Sequence, residues 1–188
     1  MNQRPWLWLL AGPNGAGKST FAREQLTGLE VVVPDEPLKA AFEAGRRAVQ
    51  HRSELLRRRR SFAVETTLSG RRHREFVQRA RSENWNIGIV YIGLASADLA
   101  IERVRERVAL GGHDVPTADV RRRYQRSLRN LGLIYGAVDR LVVLDNSSAC
   151  QRMKRLLEMN RGRVVFRQRR LPKWLSTALG ALLRQARH

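Results

Sequence analysis

The residues best suited to chemistry are Gly12-Pro13-Asn14-Gly15-Ala16-Gly17-Lys18-Ser19-Thr20. Their spacing is G-x-x-x-x-G-K-[ST], the pattern of a loop that cradles phosphates. A phosphate cluster needs many donors converging on one spot. Gly12, Gly15 and Gly17 let the backbone curl so that successive N–H groups point inward. A helix opening after Gly17 adds unpaired N–H groups and its positive dipole end. In this chemistry Lys18 reaches the β- and γ-phosphates, and the Ser19 hydroxyl ligates Mg²⁺. Gly12, Asn14, Gly15, Ala16, Gly17, Lys18, Ser19 and Thr20 are therefore expected to hold a nucleoside triphosphate. The motif alone does not say what is done with it.

Such a loop works only between a strand and a helix. The apolar run Trp6 to Ala11 before it suits a buried strand, and Thr20 to Leu26 after it has a helical pattern. Further strands are expected at Glu30–Val33, Ser61–Thr67, Asn86–Leu94 and Leu141–Leu144. Helices fall between them, and one beginning near Asp35 runs towards Arg57–Arg60 with a break near Gly45 or His51. Strand–helix alternation predicts an α/β fold with three layers: a mostly parallel five-stranded sheet carrying helices on both faces. Residues Met153 to Val165 read as a hairpin turning at Asn160-Arg161-Gly162, with a helix as the alternative. One helix is expected after Pro172. The whole of residues 1–188 is read as one domain, with a helical lid over roughly 105–125 and a C-terminal hairpin and helix over roughly 150–188.

Ligands of such sheets sit beyond the carboxyl ends of the strands. The polar residues gathered there are the loop itself, Asp35, Glu65 with Thr67, and Asn146. Phosphoryl transfer needs a cradle with Mg²⁺, a positioned acceptor, a carboxylate for the acceptor's proton, and mobile cations. Asp35 is the candidate base, although local sequence equally allows it to be a helix N-cap. Glu65 and Thr67 are candidates for holding acceptor hydroxyls. Arg107 and the Arg121-Arg122-Arg123 run flank a Gly-rich loop at 111–116. Successive helix positions point about 100° apart, so only one or two of the three face a nucleotide. Arg123 is the first choice and Arg122 the second.

Composition narrows the class. The 188 residues suffice for one α/β core, and 43% hydrophobic content excludes a disordered chain. No apolar run reaches 18 residues, so no membrane span or membrane partner is expected. A single cysteine, Cys150, allows no internal disulfide, which fits a cytoplasmic location. Lys+Arg number 36 against 17 Asp+Glu, a net charge of +19, and most of the excess is arginine. That charge implies adventitious binding of nucleic acid at low salt. A dedicated nucleic-acid groove is disfavoured, because the arginines run from end to end without interleaved aromatic residues.

The P-loop, Val33-Pro34-Asp35-Glu36, Val64-Glu65-Thr66-Thr67-Leu68-Ser69-Gly70, Arg107 to Pro116, Arg122-Arg123-Tyr124 and Leu144-Asp145-Asn146-Ser147 together resemble the zeta-toxin-like family of P-loop kinases. The resemblance covers about the first 150 residues. It implies a kinase that uses ATP or GTP with Mg²⁺ to phosphorylate a hydroxyl of a nucleotide sugar such as UDP-N-acetylglucosamine, with an antitoxin protein as partner. It also implies Asp35 as base, Glu65 and Thr67 as acceptor ligands, Arg107 and Arg123 as lid arginines, and Asn146 near adenine. Val33 and Pro34 depart from the family's Asn-x-Asp pattern. The chain also lacks the large insertions of the toxins. A polynucleotide-directed P-loop enzyme is the alternative. No strand shows the Walker B pattern of ATPase motors, so Mg²⁺ is expected on Ser19, phosphates and water.

Overall fold

A computed structural model describes residues 4–33, 50–70, 72–148 and 152–185. Asp35, and most of the helix expected after it, lie outside these residues. The strands are β1 (Trp6–Ala11), β2 (Glu30–Val32), β3 (Phe62–Thr66), β4 (Asn86–Gly93), β5 (Arg140–Asp145), β6 (Lys154–Asn160) and β7 (Arg163–Arg167). The helices are α1 (Lys18–Gln25), α2 (helical residues 50–57), α3 (Arg72–Ser82), α4 (Ala97–Ala109), α5 (Thr117–Ile134), α6 (Lys173–Ala178) and α7 (Gly180–Gln185).

The seven strands form one sheet in the order β2-β3-β1-β4-β5-β6-β7. The first five are parallel, and β6 and β7 add an antiparallel hairpin to the β5 edge. The expected sheet of five strands is thus extended to seven. The hairpin turns at Arg161 and Gly162, both with positive φ, and the helical alternative for this stretch is excluded. Its short strands alternate poorly in sequence because each contains an irregularity. The register shifts between Val143 and Leu144 on one side and between Glu158 and Met159 on the other. The single helix expected after Pro172 is two short ones, α6 and α7, broken at Leu179.

Two apolar layers fix the sheet. On one face Leu7, Leu9, Phe62, Val64, Ile89 and Tyr91 pack with Leu131, Trp174 and Leu175. On the other, Leu10, Val90 and Ile92 pack with Ala100, Val104, Val120 and Tyr124. Because β1 and β4 are covered on both sides, they read as continuous apolar runs rather than alternating ones. The chain leaves β1 for one side of the sheet and returns to the other at β4. That reversal opens a crevice at the carboxyl end of β1, where α/β sheets bind ligands.

Two local signals set the elements around that crevice. Ser96 is extended and its hydroxyl accepts the Leu99 N–H at 3.1 Å, which starts α4. Asn84 has φ +64, and the Trp85 N–H returns to the Ala80 carbonyl, which ends α3 and aims the chain into β4. Among the described residues no helix is long and apolar enough to cross a membrane.

Candidate nucleotide-binding site

The 12–20 loop joins β1 to α1 as its sequence requires. Gly12, Gly15 and Gly17 have φ of +147°, +73° and +87°. A Cβ on Gly12 would lie 2.2 Å from the Ile92 carbonyl oxygen, so only glycine lets β4 come so near. Gly17 is the N-cap of α1, and the helix carries no acidic residue in its first turn. Its N–H groups and dipole therefore favour an anion. Lys18 is 7% exposed, and its Nζ donates to the Pro13 carbonyl at 3.0 Å. Asn14 is also buried, and its Oδ1 has no partner among the described atoms. Ala16 is buried within the loop, and Thr20 is exposed on α1.

Glu65 comes from the end of β3, the strand paired with β1. The Ser19 hydroxyl lies 3.1 and 3.0 Å from its two carboxylate oxygens. A hydroxyl and a carboxylate are hard oxygen donors, the set that Mg²⁺ takes alongside phosphate and water. The residues present fit that ion. Glu65, beside Ser19, is thus a second residue able to face that ion. Its signal was in the sequence: Phe62-Ala63-Val64 is an apolar run ending in an acid.

The turn after β3 is held from three sides. The Leu68 N–H donates to Thr66 Oγ1 at 2.9 Å, and Leu68 adopts φ +54 while fully buried. Thr66 Oγ1 also lies 2.9 Å from His73 Nε2, and the Thr67 and Ser69 hydroxyls are 2.9 Å apart. From α5, Asn130 Nδ2 donates to the carbonyls of Leu68 at 2.7 Å and Gly70 at 3.3 Å. Burial, then the nearby charge of Arg52, pushes His73 below its ordinary value. Sequence reasoning did not select His73 or Asn130, since neither belongs to a recognisable pattern. Between α3 and α5, behind this turn, lies a cleft of ≈ 360 Å³.

The two contacts that anchor α5 decide which arginine faces inward. Asn130 binds the 68–70 turn, and Ser127 Oγ lies 3.0 Å from the buried Tyr91 hydroxyl. At 100° per residue Arg123 falls within about 20° of Asn130 around the helix, two turns nearer the lid. Arg122 points about 80° away and Arg121 to the opposite side. Their ion pairs agree: Arg121 reaches Asp98 of α4 at 2.6 Å and Arg122 reaches Asp119 at 2.8 Å. Arg123 is the least exposed of the three and comes only within 4.0 Å of Asp119. Arg107 closes the 110–116 loop on itself instead: its guanidinium donates to the His113 carbonyl at 2.5 Å. Gly112 makes room for it, since a Cβ there would lie 2.6 Å from Arg107 Cγ.

Asn146 leaves the end of β5 and donates through Nδ2 to the Ala16 carbonyl at 3.0 Å, bracing the loop from behind. A Cβ on Gly17 would fall 2.8 Å from that nitrogen and 3.2 Å from Met153 Cε. Tyr124, held to the Leu94 carbonyl at 2.9 Å, is pushed up to about 12 by burial and then by the charge of Asp145. It stays protonated and acts as a donor within the second apolar layer. The structure thus gathers Lys18, Ser19, Glu65 and Asn146 about the loop, and Arg123 lies on the side of α5 that Asn130 occupies. Among the described residues no group of three His, Cys, Asp or Glu side chains could hold a metal by itself.

A family model described as an AAA domain, AAA_33, matches residues 7–131. The chain belongs to this AAA-domain family. The match begins within β1 and ends inside α5, so it spans the cradle, the β3 turn and the 110–116 loop. An uncharacterised protein of Haemophilus influenzae is 27% identical over 138 residues, covering 64% of this AAA-domain chain and 99% of that protein. Among solved structures, the AvrRxo1-ORF1:AvrRxo1-ORF2 complex with sulphate ions is similar with a TM-score of 0.72 at 12% identity, over 96% of this chain and 76% of that one. The same complex with ATP gives 0.70 at 13% identity, over 97% and 63%. The PezAT toxin–antitoxin system of Streptococcus pneumoniae gives 0.60 at 12% identity, over 99% and 86%. At these identities the likeness is one of fold: the α/β P-loop kinase architecture, a mixed sheet flanked by helices.

Proposed function

We propose that the protein is a phosphotransferase that moves the terminal phosphoryl group of ATP or GTP to a hydroxyl of a small molecule. The contact that carries this reading is Ser19 against Glu65, beside a glycine cradle that holds a buried Lys18. Similarity to a complex solved with ATP supports a nucleotide in the cradle. The resemblance to zeta toxins favours a nucleotide sugar such as UDP-N-acetylglucosamine as acceptor, and likeness to the PezAT toxin–antitoxin system favours an antitoxin protein as partner. Residues 1–188 would act as a single domain in the cytoplasm.

The backbone N–H groups of residues 15–19 and the Lys18 ammonium receive the phosphate oxygens. Magnesium bound by Ser19 and Glu65 would neutralise charge on the β- and γ-phosphates. Thr67, on the turn braced by Asn130 and His73, holds the acceptor. The acceptor oxygen bonds to the γ-phosphorus as the bridging P–O bond to the diphosphate breaks, and the hydroxyl proton passes to the Asp35 carboxylate. Arg123 and Arg107 offset charge on the transferring group once the lid closes. In the structure Arg107 is engaged with His113, so its part requires that contact to open.

The test is transfer from radiolabelled Mg-ATP to a panel of nucleotide sugars, sugars and nucleosides. Wild type should label one acceptor class, and Asp35→Asn should lose transfer while still binding nucleotide. Turnover that Asp35→Asn leaves unchanged, with no acceptor labelled, would overturn the reading.

A further inference from the structure

The sheet has a second surface that the phosphotransferase reading does not use. Trp8 and Arg140 both pair with Gly88, one from each side, so they share a face at the lower end of the strands. Gly88 has no side chain for a reason: a Cβ there would lie 2.3 Å from the Trp8 ring. The Trp8 indole therefore lies flat across β4, leaning towards β5. Trp6 stacks beside it, with centroids 5.1 Å apart and planes at 17°, and both rings are half-buried. Across β5, Arg140 reaches Glu158 at 2.7 Å, and Arg155 reaches the same carboxylate at 3.0 Å. Arg155 also lies over the Phe166 ring at 4.2 Å from β6 to β7. The two arginine side chains are 47% and 52% exposed, while that of Glu158 is 13% exposed.

The bland account is a salt-bridged sheet face. It explains Glu158, which fixes two arginines that would otherwise repel. It does not explain Trp6, which stacks on Trp8 and keeps part of its ring open, while Trp8 itself packs on Gly88 and the second apolar layer. Indole planes and an arginine stacked on phenylalanine are what unpaired bases stack on, and guanidinium donors spaced between them suit a phosphate backbone. A duplex hides its base faces and gains nothing from such a shelf. At about 4.8 Å between strands, the span from β1 to β7 is roughly 19 Å, room for three or four nucleotides. The net charge of +19 supplies complementarity to a polyanion.

We propose that the Trp6–Trp8–Arg140–Arg155–Phe166 shelf binds a single-stranded polynucleotide through base stacking. It is independent of the phosphate site and survives failure of the kinase reading.

The test uses the full chain with fluorescein-labelled dT12, rU12 and a 12-base-pair duplex, by anisotropy across a salt series. Tryptophan emission is recorded in parallel. Single strands should bind more tightly than the duplex and quench tryptophan, and a preference between dT12 and rU12 identifies the natural strand. Phe166→Ala and the pair Arg155→Gln/Arg140→Gln should each weaken single-strand binding at least fivefold. The control pair Arg57→Gln/Arg58→Gln removes equal charge elsewhere and should cost less than twofold beyond its effect on duplex. Trp6→Ala should remove part of the quench, and circular dichroism checks that each variant folds. Equal binding of duplex and single strand without quenching, or shelf variants no worse than the control pair, would overturn the proposal by reducing the binding to net charge.

Discussion

The Ser19 hydroxyl points at Glu65, 3.0 and 3.1 Å from its two carboxylate oxygens, although 46 residues separate them. The pairing of β1 with β3 brings them together, since Leu10 opposes Glu65 and Ala11 opposes Thr66 across that ladder. The proposed phosphotransfer gives that carboxylate a place on the metal side of the cradle. Glu65→Gln keeps the shape and removes the charge. It should raise the magnesium concentration needed for half-maximal turnover by about 10- to 100-fold, the range typical of losing a group that supports a metal site. A magnesium titration unchanged in the variant would return Glu65 to the acceptor alone.

Lys18→Ala should abolish tight nucleotide binding while leaving the fold intact, because the lysine is buried against the loop it serves. Isothermal titration with Mg-ATP, alongside a thermal melt without ligand, separates the two effects. Wild type should also gain several degrees in the melt with saturating nucleotide, and the variant should gain none.

Asn146→Ala should loosen the loop without removing any phosphate donor. The amide holds the Ala16 carbonyl at 3.0 Å, a bond that contributes about 1 kcal/mol. Nucleotide affinity is expected to fall roughly tenfold or less, and Asn146→Asp should fare worse, because it sets a carboxylate against a carbonyl oxygen. Comparing the two dissociation constants checks this order.

Gly132→Ala sets helix propensity against packing. Alanine in mid-helix gains up to about 1 kcal/mol over glycine. Here its Cβ would lie 2.4 Å from the Ala178 carbonyl oxygen, which is backbone and has no rotamer to escape into. Overpacking of this kind costs about 1–3 kcal/mol, so packing wins and urea should unfold the variant earlier. A later midpoint would mean that α6 slides freely on α5.

His73 makes stability depend on pH with a definite sign. Its native value is lowered, by burial first and by Arg52 second, from an ordinary value of 6.5. The unfolded chain therefore takes up the proton more readily. The contribution is complete above pH 6.5 and drains away as pH falls through the lowered native value. Melting temperature should drop on going from pH 7 to pH 5, and His73→Gln, which preserves a hydrogen-bonding partner for Thr66, should flatten that slope. An identical slope in the variant would assign the acid sensitivity elsewhere.

Much of the cradle was legible in the residues. Three glycines, Lys18 and Ser19 between an apolar run and a helical one leave little choice of conformation, because the positive φ values and the close approach to Ile92 admit only glycine. The edge of the sheet was harder to read. Leu156 and Val165 fall at bulges that spoil the period-two pattern of β6 and β7, so strand and helix were both open for Met153 to Val165. Which arginine of the 121–123 run turns inward depends on how α5 is rotated. That rotation is set by Asn130 and Ser127 on partners some 60 and 36 residues away.

Sequence alone determined the phosphate loop, the alternation that makes an α/β sheet, and the charge of +19, because these follow from local backbone limits and from composition. The tertiary structure decided what lies beside what. It put Glu65 against Ser19, set Arg123 on the same side of α5 as Asn130, and laid Trp8 across Gly88 next to Arg140. Strand order and register create those neighbours. Strand order arises from burying two apolar faces at once, which no stretch of the chain specifies by itself.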